Sequence, residues 1–364
     1  MPQLDTPVTL LIFNRPDLVR QVWAAIRAAR PRRLFIVADG PRPAHPADKE
    51  LCAACRAIVA DVDWPCHVER NYAAQNLGCD DCVPRGISWV FDQVDESIIL
   101  EDDILPDPSF FPFCRTLLDR YRDDHRVMGI GGFNFAGQWR SQARAYHMHR
   151  WAITWGWATW RRAWPRFDLA PEVVAAAAVG HSLPMCISDP EQADYRSQTY
   201  SYYLTQRSMP WDVQWATACN LAAGLWISPA VNLITNLGFG ASATHTTVVD
   251  DLRAYVIRGR MPSLDSAPAM HGEYVDDDFD RVLYLLEILN AMRDVRGLRL
   301  WQRALERTPS LEIPGMPPIA RAFLPPLRRP LELLAVLDTA APYWEENPRM
   351  QRLRSDLAKI AENP

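Results

Sequence analysis

The sequence predicts an α/β fold in which a parallel, doubly wound sheet carries helices on both faces. The first 105 residues contain four short strand-like runs, of which residues 8–13 (VTLLIF) are apolar throughout, and segments with helical periodicity lie between them. An apolar run of this kind is typical of a strand that is covered on both faces, and strands that alternate with helices build parallel sheets. The chain has 364 residues, of which 48% are hydrophobic, which is enough material for about two domains.

The elements of this first part follow one another in a regular order. Strands are predicted at residues 8–13, 34–38, 66–70 and 97–100. A helix is predicted after each of the first three strands from apolar residues at helical spacing. The second of these helices is predicted over residues 48–60. The first is marked by Leu18, Val22, Ala25 and Ile26, and the third by Ile87, Val90, Phe91 and Val94.

Polar residues follow the predicted strands at the points where they end. Asn14 and Arg15 follow the first strand, Asp39 the second, Asn76 the third, and Glu101-Asp102-Asp103 the fourth. Because parallel strands end at the same edge of a sheet, and open α/β sheets bind ligands at that edge, we expect these side chains to converge on one site.

The second part of the chain has a mixed pattern. A helix at 109–121 and a strand at 127–131 are followed by predicted helices at 171–179, 190–207 and 211–223, and by a strand, a break and a strand over 225–235. After about residue 250, helices are predicted at 278–293, at 299–306 and near the end, around a proline-rich stretch at 309–330. We therefore predict one α/β domain over residues 1–249 and a mostly helical C-terminal extension over residues 250–364.

Composition excludes several classes of function. The net charge of −5 does not favour a general nucleic-acid binder. Lysine occurs only at Lys49 and Lys359, which excludes a Walker P-loop and disfavours a Schiff-base mechanism.

No early segment resembles a signal peptide and no apolar run approaches the ~20 residues of a membrane span, so a cytoplasmic location is expected. The pairs Cys52-x-x-Cys55 and Cys79-x-x-Cys82 fit a zinc site only loosely, and buried thiols on helices are the alternative.

The triplet Glu101-Asp102-Asp103 is the strongest chemical signal in the sequence. Three adjacent carboxylates after a buried strand repel one another, so such a cluster needs a cation or hydrogen-bond donors. A hard divalent ion held by one or two carboxylates, phosphate oxygens and water fits this pattern. The alternative is an acidic turn that faces solvent.

The residues that carry a resemblance to a known family occur in order over about residues 6–247. They are Phe13-Asn14-Arg15-Pro16, Asp39-Gly40-Pro41-Arg42, Asn76-Leu77-Gly78-Cys79, Ile87 to Phe91, Ile98 to Asp103, Pro106 with Phe110-Phe111, Trp155 to Trp160, and Asn232 to Thr246. Together they resemble the GT-A nucleotide-sugar glycosyltransferases, and in particular a bacterial branch that shares the acidic motif with N-acetylglucosaminyltransferase I.

The resemblance implies a GT-A fold and a metal-dependent donor site. Asp103 would bind Mn²⁺ or Mg²⁺ at the donor diphosphate, and Glu101 and Asp102 would contact the ribose or the donor sugar. Donor contacts are also implied for Phe13, Asn14, Arg15, Asp39, Asn76 and Arg85. A UDP-sugar is the favoured donor. Asp80-Asp81 departs from the family pattern, in which these positions carry small or basic residues. Two carboxylates near a diphosphate would oppose its binding unless they face solvent.

The resemblance also implies a catalytic base, a further residue at the metal or diphosphate, and residues that contact the acceptor. Asp212, at the start of a predicted helix, resembles the carboxylate base of inverting members, although a helix cap is the ordinary role of such a residue. His245 resembles the late histidine that completes the metal or diphosphate site. Trp155, Gly156 and Trp157 would lie near a carbohydrate or other hydroxyl acceptor. The neighbouring tryptophans are spaced four residues apart, however, and this spacing also fits one face of a helix that packs in the core.

Two points stay open at the level of sequence. The C-terminal extension could pack on the catalytic domain, form a homodimer, or touch the inner membrane peripherally. A sugar nucleotidyltransferase and a non-catalytic nucleotide-sugar or glycan-binding protein are the alternatives to a glycosyltransferase that builds or modifies a surface polysaccharide.

Overall fold

The computed structural model describes most of the α/β part of the chain and portions of the extension. The described residues are 3–167, 187, 189–205, 209–239, 251–262, 264, 274–291, 330–340, 351, 354–355 and 357–359. The fold is α/β, as predicted, with a mixed sheet of eight strands as its centre. The predicted helices at 171–179 and 299–306, the proline-rich stretch and His245 lie outside the described residues.

Ten strands and eight α-helices position the residues discussed below, counted over the described ranges alone. The strands are β1 (Val8–Ile12), β2 (Arg33–Ala38), β3 (His67–Tyr72), β4 (Glu96–Glu101), β5 (Ile104–Pro106), β6 (Val127–Gly131), β7 (Tyr146–His149), β8 (Trp157–Trp160), β9 (Leu225–Pro229) and β10 (Ile234–Asn236). The helices are α1 (Pro16–Ala29), α2 (Asp48–Ile58), α3 (Cys79–Phe91), α4 (Phe110–Arg120), α5 (Pro190–Thr205), α6 (Trp211–Leu221), α7 (Asp277–Ala291) and α8 (Pro330–Ala340).

The first four strands of the large sheet are parallel, as the sequence predicts. The strand order is β3-β2-β1-β4-β8-β6-β9-β7, and β1 pairs in parallel with both β2 and β4. β8 is antiparallel to β4 and β6, and β7 is antiparallel to β9, so the sheet as a whole is mixed. The prediction of parallel strands covers the first 105 residues, where the structure confirms it. The tryptophan-rich segment enters the sheet as β8 rather than forming the helix that its spacing allowed.

Alternate side chains of the central strands enter two different hydrophobic clusters. Leu10 packs in the cluster that contains Val22 of α1, whereas Leu11 packs in the cluster that contains Ile87 of α3. This alternation is the expected consequence of the two-residue period of a strand. Helices therefore cover both faces of the sheet, as predicted from the apolar runs.

Helix α7 of the C-terminal extension packs on the sheet. Its Phe279 and Leu283 belong to the same hydrophobic cluster as Leu10 of β1 and Met148 of β7. Packing on the α/β part is thus the observed outcome for this portion of the extension, and a homodimer or a membrane contact stays a prediction. None of the helices in the described part of the chain is long and apolar enough to cross a membrane.

Candidate functional site

The carboxyl ends of β1 and β4 bring Arg15 against the acidic triplet. Because Leu11 of β1 pairs with Glu101, the last residue of β4, the segments that follow the two strands lie side by side. The backbone N–H of Phe13 donates to Asp102 at 3.2 Å. The Arg15 guanidinium donates to Asp102 and forms an ion pair with Asp103 at 2.9 Å. The triplet faces the protein, and Asp102 is 3% exposed.

The triplet carries more negative charge than its neighbours compensate. Burial, together with Asp103, Asp102 and Asp212, raises the pKa of Glu101 well above its ordinary value. Burial raises the pKa of Asp102 to about 6, although Arg15 opposes the shift. Among the described residues, Arg15 is the basic side chain in ion-pair contact with the triplet. One guanidinium against three carboxyl groups leaves a site that an additional cation would stabilise.

The described residues do not form a complete metal cage. No group of three or more His, Cys, Asp and Glu side chains in the described ranges is arranged to hold a metal ion. The triplet nevertheless fits a divalent ion that takes one or two carboxylates from the protein and its remaining ligands from phosphate and water. Asp103, the predicted metal ligand, lies beside the loop that follows β10, and its Oδ2 atom pairs with Arg15 at 2.9 Å.

Gly238 closes over Asp103 in that loop. A Cβ atom at this position would lie 2.1 Å from Oδ2 of Asp103, so a side chain could not be accommodated without movement. The backbone N–H of Leu237 donates to the carbonyl oxygen of Asp103 at 2.7 Å, which holds the loop in place. The loop follows β10, and the pairing of β10 with β5 places it beside Asp103.

Asp39, at the end of β2, organises the neighbouring loop. Its carboxylate accepts hydrogen bonds from the backbone N–H groups of Gly40 at 2.7 Å, Leu77 at 2.8 Å and Gly78 at 3.1 Å, and from the Asn76 side chain at 2.8 Å. Four donors occupy the acceptor positions of a carboxylate. The structure therefore brings Asp39 and Asn76 together, as predicted, but uses both to fix the loop between β3 and α3.

A second cluster lies beside Phe13 and contains residues that the sequence did not single out. The Arg42 guanidinium lies 5.3 Å from the centre of the Phe13 ring and donates to Asp48 at 2.6 Å. Asn14 donates to the same carboxylate at 2.8 Å. Asp48 is 2% exposed, and its bonds to Arg42 hold its pKa well below the ordinary value. The only sequence signal for Asp48 is an acidic residue at the start of the predicted helix over residues 48–60, which is also an ordinary pattern for a helix start.

Asp212 lies in the first turn of α6, and Asp80 explains why this helix starts where it does. The backbone N–H of Trp211 donates to the Asp80 side chain at 3.0 Å, so Asp80 satisfies a free N–H group at the start of α6. Asp81 faces solvent and pairs with Arg85 at 3.2 Å. The departure Asp80-Asp81 thus has a structural role. The structure does not bring the exposed Arg85 to the acidic triplet.

The position of Asp212 links the triplet to a cavity of about 190 Å³. Asp212 lines the cavity and keeps contact with solvent, while its negative charge raises the pKa of Glu101. Asp212 is exposed in this structure, and its carboxylate accepts a hydrogen bond from the backbone N–H of Val213 at 2.9 Å. A carboxylate at the wall of a cavity can accept a proton from a bound hydroxyl group.

Aromatic side chains form much of the cavity wall, and the C-terminal extension supplies part of it. The aromatic residues are Phe133, Phe135, Trp151, Trp155, Tyr195 and Tyr200, and the extension contributes Arg253, Leu283 and Glu287. The Arg253 guanidinium lies 5.1 Å from the centre of the Trp155 ring and pairs with Asp251 at 2.6 Å. Rings of this kind pack well against the apolar faces of sugars.

Of the three predicted acceptor residues, the structure places Trp155 in the cavity wall. Trp157 is 1% exposed and packs among Trp211, Trp215 and Trp226, so its ring belongs to the core. Gly156 has a φ of +62°, and a Cβ at this position would lie 2.5 Å from Ile234. Gly156 is therefore required by a left-handed turn and close packing, and neither Gly156 nor Trp157 lines the cavity.

In comparisons with known proteins, no family model and no curated protein matches the chain. The functional interpretation therefore depends on the geometry of the triplet, Asp212 and the cavity.

Proposed function

We propose that the protein is a metal-dependent glycosyltransferase of the GT-A type, which moves a sugar from a nucleotide-sugar donor, a UDP-sugar in the first instance, to a hydroxyl group with inversion. The observation that supports this proposal is the juxtaposition of the acidic triplet at the carboxyl end of β4, whose Asp102 is buried, with a carboxylate, Asp212, in the wall of an aromatic cavity. Sugar transfer with inversion needs these two features, one for the leaving diphosphate and one for the attacking hydroxyl.

On the donor side, Arg15 fixes the triplet. Its ion pairs with Asp102 and Asp103 hold both carboxylates in one orientation. A divalent cation at Asp103 would supply neutralisation of the diphosphate leaving group. Glu101, the last residue of β4, would accept a hydrogen bond from a hydroxyl group of the ribose or the sugar.

On the acceptor side, Asp212 would take the proton of the attacking hydroxyl group. The aromatic wall of the cavity would hold the acceptor and exclude water from the reacting carbon, so that transfer competes with hydrolysis. Asp80 supports this arrangement from outside, since it fixes the first turn of the helix that carries Asp212.

Asp103→Asn tests the donor site. We expect the variant to bind UDP in the presence of Mn²⁺ at least about tenfold more weakly than the wild type, because the substitution removes the charge that holds the cation. Isothermal titration calorimetry with UDP and GDP, with Mn²⁺ and with EDTA, measures this effect. Asp81→Asn is the control, since Asp81 is exposed and pairs with Arg85. Wild-type affinity for nucleotides in EDTA would contradict a metal-dependent donor site.

Asp212→Asn tests the base. The amide keeps the shape of the side chain but cannot accept the proton, so kcat should fall by about 10²–10⁴-fold while the Kd for the nucleotide stays unchanged. Single-turnover transfer to a glycan acceptor measures the chemical step. Wild-type kcat in this variant would remove Asp212 from the mechanism, and nucleotide binding without turnover on any donor would favour a non-catalytic binding protein.

A further inference from the structure

The cavity beside Asp212 contains a buried guanidinium that lacks a full set of partners. Arg196 of α5 lines the cavity and is 4% exposed. Its Nη1 atom donates to the backbone carbonyl of Arg150 at 2.7 Å and to the Asn220 side chain. Its Nε and Nη2 atoms are buried and have no hydrogen-bond partner among the residues that the structure describes. Buried donors of a charged group are rarely left in this state, because the cost of desolvation is not recovered.

The charge of Arg196 is also uncompensated. In the described part of the chain, no carboxylate forms an ion pair with it, and Nη1 meets two neutral oxygens. Asp280 acts on Arg196 electrostatically, but its carboxylate bonds to Arg150 at 2.7 Å. Arg253, the other cation of the cavity wall, is already paired with Asp251. Burial lowers the pKa of Arg196, which is the expected consequence of a cation without a counter-charge.

The surroundings of Arg196 resemble a binding site rather than a structural ion pair. The Trp151 ring covers the guanidinium at 4.0 Å and also lines the cavity. Asn220, which accepts from Nη1, belongs to α6, the helix that carries Asp212. The same helix therefore positions the candidate base and one side of Arg196.

We propose that the acceptor carries a carboxylate, as an acidic sugar does, and that Arg196 binds this carboxylate in the cavity next to Asp212. The inference rests on the proposed function and names its acceptor class. Nε and Nη2 are the two donors on one side of a guanidinium, and they can meet the two oxygens of a carboxylate once the side chains that cover them move aside. A monoanion fits better than a phosphate dianion, because Asp212 and Glu287 also line the cavity and would repel the second charge.

Binding of small saccharides tests this proposal without a donor. The probes are methyl β-D-glucuronide, methyl β-D-glucoside and glucose 6-phosphate, which carry a carboxylate, no charge and a phosphate, respectively. Ligand-observed NMR titration of the full-length protein measures the three dissociation constants. We expect the glucuronide to bind about tenfold or more tightly than the glucoside, the effect of a charge-assisted hydrogen bond.

Two variants locate the preference at Arg196. Arg196→Gln should bring the two dissociation constants within about threefold of each other, and Arg196→Lys should retain part of the preference, since it keeps the charge but loses the paired donors. Arg162→Gln is the matched control, because the Arg162 guanidinium also lies over a tryptophan, Trp160, at 4.2 Å but does not line the cavity. The control should keep the wild-type preference.

Three results would overturn the proposal: equal binding of glucuronide and glucoside to the wild type, an unchanged preference in Arg196→Gln, or tighter binding of glucose 6-phosphate than of the glucuronide. The wild-type comparison decides the question even where Arg196→Gln does not fold. A failure of nucleotide binding in the calorimetry would contradict the proposed function instead. The saccharide measurements need no nucleotide, so the two failures can be told apart.

Discussion

Asp39 and Asp80 show that a carboxylate at a functional edge can act on the backbone rather than on a ligand. Asp39 accepts three backbone N–H groups and one side-chain amide, and Asp80 accepts the first backbone N–H group of α6. Both residues occur in segments where sequence alone suggested nucleotide or diphosphate contacts. Apart from Gly40, their partners are distant in sequence, so only the folded chain reveals what they bind.

At the residue scale, we predict that Asp39→Asn destabilises the protein by about 1–3 kcal/mol. The amide presents a donor where the carboxylate accepts, so at least one N–H group of the loop loses its partner in a site that is 6% exposed. Urea unfolding followed by circular dichroism measures the change. Asp17→Asn, at a carboxylate that is 90% exposed, should change the free energy of unfolding by less than about 0.5 kcal/mol. Equal effects of the two substitutions would contradict the role assigned to Asp39.

At the element scale, the attachment of α7 to the sheet depends on Phe279. This ring is fully buried, and it lies 5.0 Å from His147 and 5.2 Å from His149 of β7, measured between ring centres. Leu283 and Glu287, which follow on the same helix, line the cavity. The attachment therefore determines both stability and the shape of the candidate acceptor site.

We predict that Phe279→Ala lowers the free energy of unfolding by about 3–5 kcal/mol, because it removes a large buried ring and leaves a cavity. The variant should also weaken acceptor binding, since α7 loses its fixed position. Thermal and urea unfolding measure the first effect. Tyr274→Ala is a suitable control, because this nearby ring is 75% exposed and its removal should have little effect. A loss below about 1 kcal/mol for Phe279→Ala would show that α7 is not part of the core.

At the scale of the whole molecule, a buried pair connects the extension to the sheet and makes stability depend on pH. His147 of β7 faces Asp276 through Nδ1 and the carbonyl oxygen of Trp139 through Nε2, both at 2.8 Å. Burial alone would raise the pKa of Asp276, but the hydrogen bonds from His147 and from the backbone N–H of Phe279 lower it to about 2 from its ordinary value of 3.8. A carboxyl group whose pKa is lower in the folded state stabilises that state at higher pH.

We therefore predict that Asp276 contributes about 2 kcal/mol to stability above pH ~4 and that this contribution disappears as the pH falls towards 2. Urea unfolding of the wild type and of Asp276→Asn, repeated between pH 3 and pH 7, measures the contribution as the difference between the two proteins. The difference should decrease as the pH falls below 4. A difference that does not change with pH would indicate that Asp276 acts through packing alone.

The first half of the fold was predictable because its signals are local. Apolar runs such as residues 8–13 and 97–100 gave β1 and β4, and their parallel pairing followed from the alternation with helices. The later strands were harder to predict, because Trp157 and Trp160 of β8 are also spaced as on a helix, and only their pairing with β4 and β6 decides between the two structures. The same limit applies to the site: Asp102, Asp103 and Arg15 follow strand ends, whereas Arg196 and Arg253 carry no local signal.

The α/β class, the parallel direction of the first strands and the acidic triplet at the end of a strand were predictable from sequence, because each depends on residues that are neighbours in the chain. The tertiary structure decided the ion pairs of Arg15 with the triplet, the loop-forming role of Asp39, the cap that Asp80 provides for α6, and the cavity to which α5, α6 and the extension all contribute. These features depend on distances between segments that are far apart in sequence, and such distances are fixed only when the apolar faces of the elements pack together.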